Sequence, residues 1–157
     1  NADVIYCRYL LTHLPNPEAL INSWVKYLNI GGSLLIEEVE DIDRDNDLVS
    51  RYLTIVENML HHQGHELNVG RILGAIEIAN VTPRVSQTQS VDIDLQDAAK
   101  LFHMNIQSWK HQPFIHENYA TGEIEALQAE LNDCANRPSD RTIRWRHRQI
   151  VLQRQGN

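Results

Sequence analysis

Cysteine, glycine motifs, long apolar runs and positive charge are all scarce in this chain of 157 residues. It has two cysteines, Cys7 and Cys134, which form no pair or quartet at metal-ligand or redox spacing, so a disulfide scaffold and a cysteine-held metal are excluded. Seven glycines occur without a single Gly-x-Gly, and with that the glycine-rich turn that cradles a nucleotide cofactor is missing. No apolar run approaches the roughly 18 to 20 residues of a membrane helix, and no secretion leader stands at the N-terminus, so a cytoplasmic protein that meets no membrane is expected. A formal charge of −7 works against a phosphate-binding surface, so nucleic acid is not expected as a partner.

What is present is enough for one core, since 42% of the residues are hydrophobic. Val4 to Leu11 is a nearly continuous apolar and aromatic run, the pattern of a strand buried on both faces of a parallel sheet. Asn16-Pro17-Glu18 then supplies an N-cap, a proline for the first helical position and an acid for the first turn. The helix is marked by Leu20, Ile21, Trp24, Val25 and Leu28, with Gly31-Gly32 as its stop. Ser33 to Val39 is a second buried strand, and strand, helix and strand make a parallel unit. Leu20, Trp24, Leu28, Leu34 and Ile36 are the expected core of that unit.

The rest of the chain reads as alternating helices and polar strands. Asp41 to Asp47 has two readings, a hard-cation loop or a solvated helix entrance. It lacks the glycine and the glutamate that organise a calcium loop, which favours the second. Leu48, Tyr52, Ile55, Met59 and Leu60 predict a helix ending near Gly64. His61, His62 and His65 invite a metal, but the glycine between them and the missing helical ligand spacing argue for none. Asn68 to Ala79 predicts a helix carrying Arg71, which either grips an acidic group or is structural. Arg84 to Ile93 predicts a polar outer strand, and Ala98 to Trp109 a helix broken by Pro113. A short helix follows Thr121, with Ile124, Leu127 and Leu131 inward and Asn132 to Asp140 as a loop. The final strand, Thr142 to Leu152, sets Ile143, Trp145 and Val151 in one phase against Arg144, Arg146 and Arg148. That cationic stripe has two readings, a seat for an anionic partner or a set of salt bridges to the Asp-rich segment.

The text from Asp3 through His13-Leu14-Pro15-Asn16-Pro17-Glu18, and from Leu28-Asn29-Ile30-Gly31-Gly32 to Glu38, resembles the fourth strand, following helix and fifth strand of class I S-adenosylmethionine-dependent methyltransferases. The resemblance implies an α/β fold, a partial Rossmann-like three-layer sandwich. Its mostly parallel sheet would hold the fourth, fifth, seventh and sixth strands in that order, the seventh antiparallel, with inserted lid helices. It implies one domain over residues 3–157, the C-terminal portion of such a fold, with Asn1-Ala2 as a cloning scar and roughly 80 to 100 residues of the usual N-terminal half lacking.

By the same resemblance, Cys7, Arg8, Tyr9 and His13 lie near the cofactor S-adenosylmethionine, and Glu37, Glu38 and Arg71 near the substrate. Each has a structural alternative: Arg8 pairs with Glu37 or Glu38, and His13 caps its turn. The expected activity is that of a truncated methyltransferase whose parent methylates a small molecule; this chain alone is expected to be inactive and to bind S-adenosylmethionine weakly or not at all. The alternative is a noncatalytic interaction protein. The strand Val4 to Leu11, deprived of a neighbour, is the expected seam of a homodimer.

Overall fold

The computed structural model describes residues 1–156. Ten regular elements follow one another: β1 (Ala2–Arg8), α1 (Pro17–Val25), β2 (Leu28–Ile42), α2 (Asp47–His62), α3 (Val69–Leu73), β3 (Val81–Asp94), α4 (Leu95–Trp109), α5 (Pro113–Asn118), α6 (Thr121–Asn136) and β4 (Thr142–Arg154). A short 3-10 turn at Leu11–His13 links β1 to α1. The chain forms two compact units. One holds Asn1–Asp41, Gly64–Ser90 and the chain from Arg146 onward; the other holds Ile42–Gln63 and Val91–Trp145.

The four strands lie in the order β1-β2-β4-β3, which is the order expected. β1 and β2 are parallel, with Cys7 beside Ile36 and Arg8 beside Glu37. β4 runs the other way. As numbers rise along β2 from Gly31 through Glu37 to Asp41, the partners on β4 fall from Gln153 through Gln149 to Arg146. β3 meets β4 in the same opposed sense, Asn80 bonding Gln155 and Gln87 bonding Gln149. The sheet is therefore mixed. The reversed strand is β4, third in the order as expected; it stands between two strands that share a direction, so β1 and β2 form the one parallel pair.

In the first unit the core lies on one face of the sheet. Period-2 alternation sends Ile5 and Cys7 of β1, and Leu34 and Ile36 of β2, to the same side. There they meet Ile21 and Val25 of α1 and Val69 and Leu73 of α3. The unit is two layers deep, and the third layer expected of the sandwich is not part of it. α1 begins as its sequence suggests: Asn16 Oδ1 accepts from the Ala19 amide and Pro17 sits at the first position. It ends sooner, at Val25, so Leu28 opens β2 instead of closing the helix. Gly31-Gly32 is not a helix stop but a kink within β2. Gly31 has φ +82°, and a Cβ on Gly32 would meet the carbonyl oxygens of Asn29, Ala2 and Asp3 at 2.9 to 3.1 Å.

β1 departs most from its sequence reading. It ends at Arg8, and only Cys7 is buried, while Val4 and Tyr6 are each 59% exposed. A run of apolar residues signals burial only when both faces and both edges are covered, and β1 is an outermost strand. α3 is also shorter than expected, because the chain leaves the helix at Gly74. β3 opens before Pro83, which an edge strand tolerates because its missing N–H faces away from the ladder.

The second unit is built on α2, α4, α5 and α6. Tyr52 of α2 stacks on Phe102 of α4 at 4.2 Å between ring centres, and Trp109 and Trp145 extend the aromatic group. Burial pushes the Tyr52 hydroxyl up to about 12. Asn46 caps α2 through the Val49 amide, as a helix entrance should. The last helix is longer than its apolar stripe suggests and runs to Asn136, with Ile124, Leu127 and Leu131 inward as expected and Ala135 extending the stripe. Among the described residues no helix is long and apolar enough to cross a membrane.

Burial sets the cost of emptying each core position. Leu34 is 0% exposed, whereas Trp24 only flanks the core, so Leu34→Ala should lose about 2 to 5 kcal/mol in urea unfolding and Trp24→Ala less. An equal or larger loss at Trp24 would show that α1 docks through a different face.

Candidate functional site at the carboxyl ends of β1 and β2

In open α/β sheets ligands gather beyond the carboxyl ends of the parallel strands. Here those ends are Arg8 and the residues after it, and Glu37 to Asp41. Glu37 and Glu38 are neighbours in sequence but point to opposite faces. Glu38 turns into the core with no exposed surface. Its Oε1 accepts from the Leu10 amide at 2.8 Å and the Leu11 amide at 2.9 Å, and the Cys7 thiol donates to it at 3.6 Å. Among the described residues its Oε2 has no hydrogen-bond partner. Burial and the Glu38 carboxylate together push the Cys7 thiol up to about 12, so it stays protonated at neutral pH.

Glu37 faces the other side and organises a polar cluster. Arg8 Nε lies 2.9 Å from its Oε1, and Gln149 Nε2 donates to its Oε2 at 2.8 Å. Arg8 also donates to the Tyr9 hydroxyl at 3.1 Å, with its guanidinium 4.6 Å from the centre of the tyrosine ring. That hydroxyl lies 2.9 Å from Nε2 of His147 on β4. Tyr9 has φ +52°, a left-handed conformation that costs a non-glycine residue of order 1 kcal/mol or more. Its amide still donates to the Glu37 carbonyl at 3.1 Å, so the parallel ladder continues one residue past the strand while the side chain swings to His147.

His147 is 6% exposed. Burial lowers its pKa, with a smaller push the same way from Arg8 and an opposing pull from Glu37. A neutral imidazole beside a phenol can hold one proton between Nε2 and the tyrosine oxygen, which is general acid or base chemistry near neutral pH.

Farther along β2, Asp41 holds both Arg71 of α3 and Arg146 of β4, and Glu40 holds Arg148 and the Thr88 hydroxyl. The arginine stripe of β4 is thus tied to acids, and Arg144 pairs with Asp92 at 2.9 Å. Of the two readings of that stripe, the salt bridges are what forms. Two of the three acids involved, Glu40 and Asp41, come from the end of β2.

The residues singled out in the sequence separate into three groups, with His13 apart from all of them. Arg8, Tyr9 and Glu37 come together with His147. Cys7 and Glu38 form a buried pair that shapes the turn, and Arg71 sits with Asp41. His13 is exposed at the end of the 3-10 turn, and among the described residues no hydrogen bond joins it to the cluster. The sequence reading does not single out His147, which stands between Arg146 and Arg148 of the cationic stripe. Its signal was the phase it shares with Ile143 and Trp145, which marks it as an inward residue. A hollow of about 490 Å³ in the helical unit is lined by Asn46, Leu95, Cys134 and Arg137 among others. Its acids are engaged in ion pairs, Glu130 with Arg51 and Asp133 with Arg137, and do not converge on a ligand.

No protein-family model matches the sequence, and no curated protein matches it either. Solved structures do. A candidate methyltransferase from Bacillus halodurans C-125 superposes with a TM-score of 0.54 at 16% identity, over 98% of this chain and 64% of its own length. Coclaurine N-methyltransferase, bound to N-methylheliamine and S-adenosylhomocysteine, aligns at 10% identity and a TM-score of 0.45, over 97% of this chain and 48% of its own. Phosphoethanolamine N-methyltransferase 2 of Haemonchus contortus aligns at 12% and 0.42, over 98% and 33%. The first of these likenesses establishes the fold as methyltransferase-like α/β. The chain spans about two thirds of the length of that protein.

Two measurements follow from the geometry. Glu38→Ala strips the acceptor from two amides, one of them buried, and should cost about 3 kcal/mol. Glu38→Gln keeps an acceptor, removes the buried charge and should stay within about 1 kcal/mol. A loss below about 1 kcal/mol for the alanine variant would contradict the latch. For His147, the folded state binds its proton less tightly than the unfolded chain, whose histidine titrates near 6.5. Its contribution is therefore complete above about pH 6.5 and is lost as the pH falls below that value, when the unfolded chain takes up the proton first. The melting temperature should drop between pH 7 and 5 by more than in His147→Gln; parallel curves would contradict it.

Proposed function

We propose that this chain is the C-terminal, substrate-side portion of an S-adenosylmethionine-dependent methyltransferase whose parent methylates a small molecule. The observation that carries this reading is the left-handed Tyr9, held between Arg8 and His147 at the carboxyl ends of two parallel strands. Strain of that kind persists where surrounding contacts enforce it, and such positions concentrate at ligand sites. The methyltransferase-like fold supports the same reading.

The residues present do not fit the whole cofactor. Its binding in such folds needs a backbone turn free of Cβ atoms. Here Gly32 and Gly70 are instead packed against carbonyl oxygens of the protein, and Gly31 and Gly64 stand singly at positive φ. No transfer step is therefore derived for this chain. In the proposed role Arg8, Tyr9 and the exposed His13 border the cofactor, and Arg71 faces an acidic group of the substrate. Glu37 fixes Arg8 and Gln149. The Tyr9 hydroxyl and His147 Nε2, 2.9 Å apart, offer the acceptor atom of the substrate a hydrogen-bonding partner.

Calorimetric titration with S-adenosylmethionine should give no saturable binding tighter than about 100 µM. A stoichiometric dissociation constant in the low micromolar range, about −8 kcal/mol, would contradict the partial site. At millimolar S-adenosylhomocysteine, NMR shifts should gather at Tyr9, His147 and Glu37. Shifts confined to other residues, or none, would contradict the function itself.

A further inference from the structure

His111 and His116 are five residues apart, a spacing that would set their side chains roughly 140° apart around one continuous helix. The helix does not continue. α4 ends at Trp109, the Gln112 amide donates to the Trp109 carbonyl at 3.0 Å, and Pro113 opens α5 at its first position. That corner brings the two imidazole rings to 6.2 Å between centres, with their planes 33° apart. Together with Glu125 of α6 they line a hollow of about 110 Å³, whose walls include the buried Ile115 and Ile124. Two other polar groups of the hollow are already engaged. Lys110 Nζ donates to Gln128 Oε1 at 3.0 Å, and the Tyr119 hydroxyl accepts from Asn58 Nδ2 at 2.9 Å. His111, His116 and Glu125 are exposed, and among the described residues none of their side chains makes a hydrogen bond or ion pair.

We propose that this hollow binds a zinc-type divalent cation through His111, His116 and Glu125. Zinc takes imidazole nitrogen and carboxylate oxygen alike, at about 2.0 to 2.2 Å. An ion that close to a ring nitrogen lies roughly 3.2 Å from the ring centre. Two imidazoles sharing it therefore have centres between about 5 Å, at a tetrahedral angle, and about 6.4 Å, in line. The observed 6.2 Å falls inside that range, and closing by about 1 Å reaches the tetrahedral angle. Both rings are exposed, so rotation about their own side-chain torsions is open to them. Glu125 comes from a different element, and its longer side chain can swing to a third position, where its charge also offsets that of Lys110. Calcium and magnesium prefer all-oxygen sites, so two imidazoles select against them. Water completes the four positions. The ion ties the corner between α4 and α5 to α6.

Calorimetric titration of the full chain, first stripped of metal with a chelator, tests this with zinc chloride as the probe at about pH 7.5. One ion per chain should bind with a Kd below about 50 µM. His111→Gln with His116→Gln should weaken binding at least about 30-fold, and Glu125→Gln about threefold to tenfold. Because all three side chains are exposed, the circular dichroism spectra should be unchanged. His61→Gln, which removes an exposed histidine of α2, should bind zinc as the unaltered chain does. No saturable binding, full affinity in the double histidine variant or in Glu125→Gln, or affinity lost in His61→Gln would each overturn the proposal. None of these readouts depends on S-adenosylmethionine, so they stand or fall apart from the methyltransferase reading.

Discussion

The site depends on one buried carboxylate. Glu38 reaches from the end of β2 to the first amides beyond β1, where the chain must leave the sheet and turn toward α1. A charge with no exposed surface is costly unless it is bonded, and two backbone donors plus a thiol satisfy one oxygen while the other has no partner among the described residues. What this arrangement secures is position. With Leu10 and Leu11 pinned, and the Tyr9 amide on the Glu37 carbonyl, Tyr9 is forced into a left-handed turn that points its ring away from the core and toward β4.

Alternation along β2 then separates two tasks between adjacent residues. The even positions Leu34, Ile36 and Glu38 hold the fold, while Glu37 serves the polar face where Arg8, Tyr9, Gln149 and His147 meet. This division explains why a sequence reading can list both glutamates as site residues without telling them apart. The residue type is the same, and only the register against β1 assigns Glu38 to the turn. Cys7 shares that fate, since its place beside Ile36 turns the thiol inward.

Much of the architecture is legible because local chemistry and tertiary structure agree. Asn16 caps the helix it announces, the segment Asp41 to Asp47 leads into a helix, Ile124 and Leu131 face inward, and the strand order follows from the resemblance at residues 3–38. The failures share a cause. The run at Val4 to Tyr6 looks buried, yet burial belongs to the neighbours of a strand and not to its own composition. Gly31-Gly32 looks like a helix stop, but the same freedom at positive φ serves a kink in a strand. His147 stands between Arg146 and Arg148 in the sequence, and only its burial in the sheet sets it apart from them. Within the site, the Arg8 to Glu37 pair was legible as an alternative, and the Tyr9 to His147 pair was not, since residues 138 apart meet only through the sheet.

The account stands on the Glu38 latch, and amide hydrogen exchange at Leu10 and Leu11 measures it most directly. If the carboxylate holds these two N–H groups, they exchange as slowly as the core amides of β2, although they lie outside any strand or helix hydrogen-bond ladder. In Glu38→Ala both accelerate toward the rate of an open loop while the β2 amides stay protected. Fast exchange of Leu10 and Leu11 in the unaltered chain would contradict the account.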